Sequence, residues 1–164
     1  MMKRLVLIED APWRAERNLV ELKEAGVEIE KILFFSTEEN VPEEYEKLNF
    51  KMEKALDIQI DRIGIGTLDF DNKLDLYYGR DDIFILIDLN LDEANTFEER
   101  INVKYANSKP DKGEGKIWFY TTGGKDLKSM LVQNFKNQLI DVKGFSDNQL
   151  SWDTKKILDI AKEV

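Results

Sequence analysis

The sequence predicts an α/β fold: a doubly wound, five-stranded parallel sheet with helices on both faces. Three observations predict it. Short aliphatic runs without alternation recur along the chain, as in strands buried on both faces. Segments of helical period lie between them, so strands alternate with helices. Capping and turn residues fall at the junctions. Right-handed crossovers then place helices on both faces of the sheet.

Arg4-Leu-Val-Leu-Ile8 reads as the first strand. Pro12 suits the first turn of a helix. In that helix Ala15, Leu19 and Leu22 recur at i, i+4 and i+7, and Gly26 stands where a C-terminal cap belongs. Ile29–Phe35 is the second strand. From Pro42, the spacing of Tyr45, Leu48, Met52 and Leu56 predicts a second amphipathic helix. Asp82-Ile-Phe-Ile-Leu-Ile-Asp88 is the strongest strand in the chain. Thr96-x-x-Glu99 is a capping box for a short third helix with Phe97 and Ile101 on one face. Ile117–Tyr120 is a fourth buried strand. Asp126 caps a helix through Leu127, Leu131 and Phe135, and Leu139–Val142 is the last, weak strand. Ser146-x-x-Gln149 is a second capping box, opening a final helix with Leu150, Ile157, Ala161 and Val164. Residues 58–82 fit this alternation poorly and read as an insertion between strands two and three. There Ile58-Gln-Ile60, Ile63-Gly-Ile65 and Leu74-Asp-Leu76 suggest an extra strand or hairpin. Residues 106–115 are a polar loop.

The length of 164 residues suits one domain, spanning 1–164. Basic side chains number 24 and acidic ones 33, so the net charge is 24 − 33 = −9. Such a surface repels nucleic-acid phosphates and anionic lipid, and no basic run offsets it, so neither partner is expected. No apolar run approaches the ~20 residues of a membrane span. Met1-Met2-Lys3-Arg4 starts like a signal peptide, but Glu9 and Asp10 stop the apolar run, so a cytoplasmic protein is expected. Cys and His are both absent. That removes disulfides, thiolate and imidazole metal sites, a Cys nucleophile and the Ser-His-Asp triad. The remaining chemistry uses carboxylates, lysine, hydroxyls, backbone and hard metals.

In an open parallel sheet, ligands bind beyond the carboxyl ends of the strands. Those ends carry Glu9-Asp10, Asp88, Thr121-Thr122 and Lys143. Converging carboxylates repel each other and need a cation, and all-oxygen ligands select Mg²⁺, Mn²⁺ or Ca²⁺. A lysine nearby can offset one carboxylate and meet a phosphoryl oxygen, and a threonine hydroxyl can donate to another.

These residues, in this order, resemble the receiver domains of two-component response regulators, which have a flavodoxin-like fold. Leu-Val-Leu-Ile-Glu9-Asp10 looks like the first receiver strand with its acidic pair. Ile-Leu-Ile-Asp88-Leu-Asn90 looks like the phospho-acceptor strand, Phe-Tyr-Thr121-Thr122 like the switch-hydroxyl strand, and Val-Lys143-Gly-Phe-Ser like the lysine strand and turn. The resemblance covers nearly the whole chain apart from 58–82. It implies that Asp88 accepts phosphate from a histidine kinase or phosphotransfer protein. It implies that Asp10, Asp88 and the backbone carbonyl of Asn90 bind Mg²⁺, with Glu9 acting through water. Thr121 and Lys143 would hold the phosphoryl group, and the switched surface would bind a downstream protein. Such a chain is a signalling module, catalysing at most its own phosphorylation and dephosphorylation.

The sequence departs from the receiver pattern in several places. Ser36–Asp82 is longer than usual, Gly144 replaces the proline after the lysine, and Ile140 stands where an aromatic switch residue is usual. Singly, each site residue also has a plainer reading: Asp10 as a helix cap, Asp88 as a loop cap, Thr121-Thr122 before Gly123-Gly124 as a turn, Lys143 as an exposed lysine. Two other functions stay open. One is a pseudo-receiver, an interaction module that never carries phosphate. The other is a Mg²⁺-dependent phosphoesterase or nuclease of Toprim-like type, weakened because Asn90 stands where a second aspartate is wanted. Gly64-x-Gly66 lacks the rest of a dinucleotide fingerprint, and Asp69-x-Asp71 fails the calcium-loop pattern. Trp13, Trp118 and Trp152 read as packing residues.

Overall fold

The computed structural model describes residues 2–9, 15–36, 57, 60–64, 67–88, 116–120, 140, 142–143 and 151–163. Within them the elements run β1 (Arg4–Glu9), α1 (Glu16–Glu24), β2 (Ile29–Ser36), β3 (Ile60–Gly64), α2 (Thr67–Tyr78), β4 (Ile83–Asp88), β5 (Ile117–Tyr120), β6 (Val142–Lys143), β7 (Ser151–Trp152) and α3 (Thr154–Lys162). Among the described residues the main sheet has five strands in the order β3-β2-β1-β4-β5, and every pairing in it is parallel. The fold is α/β and doubly wound, consistent with the flavodoxin-like class.

β1, β4 and β5 form because runs such as Leu5–Ile8 and Ile83–Ile87 are apolar on both faces and can be buried on both. The pleat sends alternate residues to opposite sides. Leu5, Leu7, Phe84, Leu86, Trp118 and Tyr120 share one buried cluster with Leu19 and Leu22 of α1 and Ile157 and Ile160 of α3. Val6, Ile8, Ile83, Ile85 and Ile87 are buried on the other side. Helix α2, with Leu74 and Tyr77 buried, contacts β3 and β4. The chain moves outward from β1 to β2 and back across the sheet from β3 to β4. Crossovers of one hand therefore put α1 and α2 on opposite faces.

Helix α1 ends as its sequence predicts. Gly26 takes φ +100°, its N–H donates to Lys23 O, and the Val27 N–H donates to Leu22 O. These two bonds are a Schellman termination, with buried Val27 and Leu22 as its apolar pair. Pro12 and Trp13 precede the described part of α1. The predicted helices through Tyr45 to Leu56, Thr96 to Ile101 and Asp126 to Phe135, and the 106–115 loop, also lie outside the described residues.

Three expectations are corrected. The extra strand expected within 58–82 is present, as Ile60–Gly64 extends the main sheet at its β2 edge. Leu74-Asp-Leu76 is not a strand but part of α2. Leu74 is buried and Leu76 is 64% exposed, so the apparent alternation does not mark two sides of a strand. Second, of the predicted last strand, Leu139–Val142, the described residues Ile140 and Val142 are not among the five strands. The Ile140 N–H does bond Phe119 O at 2.7 Å beside β5, but Val142 and Lys143 pair antiparallel with Trp152 and Ser151. Third, the final helix does not open behind Ser146 and Gln149. Ser151 and Trp152 are extended, and Asp153 is the N-cap, its side chain accepting from the Lys156 N–H at 3.2 Å.

The amino edge of the sheet carries a closed ring of charge. Arg4 bonds Glu30 and Asp82, each at 2.6 Å, and Arg80 bonds the same two carboxylates, each at 2.9 Å. The β1–β2 register skips Glu30, pairing Leu5 with Ile29 and Val6 with Lys31. Such an irregularity re-aims a side chain, and Glu30 faces both guanidinia. Hydrogen bonds from Arg80 and Arg4 hold the Asp82 carboxyl well below the usual carboxylate range. The bonds to Asp82, with Glu30, raise both arginines. Burial raises the Tyr77 phenol. No helix among the described residues is long and apolar enough to cross a membrane.

Candidate functional site

The strand order reverses direction between β1 and β4. From β1 the chain builds toward β3, and from β4 it builds toward β5. Doubly wound sheets bind ligands at this switch, beyond the carboxyl ends of the strands. β1 ends in Glu9 and β4 ends in Asp88. Both side chains are fully buried. Ile8 pairs with Ile87, so Glu9 and Asp88 stand one step further along two adjacent strands. Neighbouring strands lie about 4.8 Å apart. The alternation from Leu7 and Leu86 puts both carboxylates on the α1–α3 side of the sheet.

Tyr120 completes this row. It pairs with Asp88 across β4 and β5, and its hydroxyl donates to Oε2 of Glu9. Because β4 lies between β5 and β1, the phenol reaches over the strand of Asp88 to meet Glu9. Trp152 packs on Tyr120 with ring centroids 5.1 Å apart, at 55°. The Trp152 backbone N–H donates at 3.1 Å to Oδ1 of Asn18, a fully buried residue of α1. Sequence reasoning missed Tyr120, although a signal was present: a polar aromatic closes an otherwise apolar strand, and a buried phenol needs a polar partner.

Of the sequence-predicted site residues, the structure brings Glu9 and Asp88 together at the sheet's carboxyl edge. Lys143 lies on β6, its backbone paired with Ser151. Asp10, Asn90 and Thr121 lie outside the described residues. No cluster of three or more carboxylates able to cage a metal occurs among the described residues. Glu9 and Asp88 offer oxygen donors only. That donor set fits Mg²⁺, which keeps several waters and takes one or two carboxylates. The set does not fit a soft metal. No family model matches the chain, and neither a curated protein nor a solved structure matches it.

Proposed function

We propose that this chain is a receiver-like signalling module, working in the cytosol and taking a phosphoryl group on Asp88 with the help of Mg²⁺. One observation carries the reading: Glu9 and Asp88 lie buried and adjacent at the switch point of a doubly wound parallel sheet. The resemblance of the first, third and fourth predicted strands and of the Lys143 segment to receiver strands adds to it. The chemistry asks little of the protein beyond position and charge. A carboxylate oxygen of Asp88 attacks the phosphorus of a phosphohistidine or small acyl phosphate, the donor leaves, and an aspartyl phosphate remains. Asp88 and Asp10 would hold Mg²⁺, with Glu9 acting through water, and the ion would supply neutralisation of the equatorial charge. Lys143 and Thr121 serve the same oxygens. The donor would be a histidine kinase or phosphotransfer protein, and the product would alter binding of a downstream protein.

Incubation with acetyl phosphate and Mg²⁺, followed by intact-mass measurement, tests this. The wild type should gain one phosphoryl group and Asp88→Asn none. Equal incorporation in Asp88→Asn would end the assignment. Full burial of Asp88 favours a second reading, the pseudo-receiver, because an in-line nucleophile must be reached by its donor. In that case the wild type gains no phosphate, even though Mg²⁺ is present.

A further inference from the structure

Tyr120 belongs to the core and to the carboxyl edge at once. Its ring is fully buried among the side chains between the sheet and helices α1 and α3, yet its hydroxyl donates to Glu9. On its other side it meets Trp152, which is tied through its backbone to Asn18 of α1. β7, which carries Trp152, pairs with β6, which carries Lys143. One line of contacts therefore runs from Glu9 through Tyr120 to Trp152. It ends at α1 and at the β6–β7 ribbon.

We propose that Tyr120 is a positioning residue for the carboxyl-edge site. It fixes the Glu9 carboxylate and transmits that carboxylate's state to Trp152. The inference rests on the cation reading given under Proposed function. A turn of Glu9 away from Tyr120 breaks this buried hydrogen bond. The bond thus selects one Glu9 rotamer before a cation arrives. Partners placed behind the carboxylates of a metal site commonly contribute about 10- to 100-fold in metal affinity, and with Glu9 acting through water Tyr120 falls at the lower end. Glu9 would hold the phenol less tightly with a cation beside it, and the tightly packed ring would pass the change to Trp152. Ile140, buried in the same cluster, has no polar edge with which to sense charge. Tyr120 brings a polar aromatic to this cluster from β5.

Mg²⁺ titration tests the proposal with two readouts. Calorimetry measures binding, and proton–nitrogen correlation spectra follow the Trp152 indole N–H, assigned by its loss in Trp152→Phe. That N–H is buried with no acceptor among the described residues, so its resonance reports the ring environment. Mg²⁺ should bind the wild type and move this resonance. Tyr120→Phe should bind Mg²⁺ about tenfold more weakly, and its Trp152 resonance should no longer respond. Equal affinity and an equal response in Tyr120→Phe would overturn the positioning role while leaving the cation site standing. No binding heat in the wild type would overturn the cation site, and this inference with it. Should Tyr120→Phe fail to fold, Glu9→Gln in metal-free buffer replaces it, since glutamine keeps an acceptor but drops the charge. The Trp152 resonance should then move without any metal, and an unmoved resonance would overturn the coupling.

Discussion

Arg4 and Asp82 lie 78 positions apart in the sequence, and a guanidinium nitrogen of one meets a carboxylate oxygen of the other at 2.6 Å. Arg80 and Glu30 close the ring, so β1, β2 and the turn before β4 are fastened together at the amino edge. The opposite edge of the same strands carries the buried carboxylates. Charge is therefore compensated between partly exposed side chains at one end, while carboxyl groups lie out of water at the other.

The ring has a defined acid response. A carboxylate whose folded pKa is depressed stabilises the fold above its unfolded pKa, and that contribution is lost as pH falls through the folded value. Asp82→Asn should therefore lower the urea midpoint at neutral pH. The gap from wild type should close progressively below the ordinary carboxylate value of 3.8. Molar salt should narrow the gap as well, by screening. The effect will be small beside that of a core truncation, because the ring is solvated. A gap indifferent to both pH and salt would show that the ring contributes nothing electrostatic.

Mg²⁺ should stabilise the folded chain by simple linkage. At a free concentration ten times the Kd, a ligand that binds only the folded state adds about 1.4 kcal/mol. The melting temperature of the wild type should rise accordingly with Mg²⁺. Asp88→Asn should lose the rise, because a neutral amide binds a hard cation poorly. An equal rise in the variant would place the ion elsewhere on this acidic chain.

Asn18→Ala should cost about 1–3 kcal/mol, because it leaves the buried backbone N–H of Trp152 without the oxygen that now accepts from it. Urea unfolding with an unchanged m-value is the check. A loss of a few tenths of a kcal/mol would mean that water replaces the amide.

Gly26→Ala should destabilise by about 1–2 kcal/mol through backbone strain, since L-residues resist this φ of +100°. The added Cβ would also come within 3.0 Å of Met2 Cε, the far end of a flexible side chain that can move aside. Met2→Ala in the same background should therefore restore little. Full recovery there would assign the cost to crowding instead.

The strands that read correctly are those whose composition leaves no choice. Leu5–Ile8, Ile83–Ile87 and Ile117–Phe119 are apolar throughout, and a strand covered on both faces suits them. Failure came where two periods compete. In Leu74-Asp-Leu76 a spacing of two imitates a strand, yet the buried residues are Leu74 and Tyr77, spaced as on a helix. The start of α3 was missed because Ser146 and Asp153 both satisfy capping chemistry, and pattern alone does not rank them. At the site, Glu9 and Asp88 were legible because acidic residues ending apolar strands are conspicuous. Tyr120 was not, because its role depends on a reach over an intervening strand.

The position of β1 in the middle of the sheet has a kinetic consequence. It is hydrogen-bonded to β2 on one side and β4 on the other, whereas β3 is bonded to β2 alone among the described residues. Amide exchange follows such differences: doubly bonded, buried strands release protons to solvent only when the whole domain opens, and outer strands exchange through smaller openings. The amides of Leu5–Ile8 should set the upper limit of protection, and those of Ile60–Gly64 should fall below it. Glu9 ends the strand expected to open last. Its backbone is thus a fixed bench, and whatever changes at that edge must change in side chains and connecting loops.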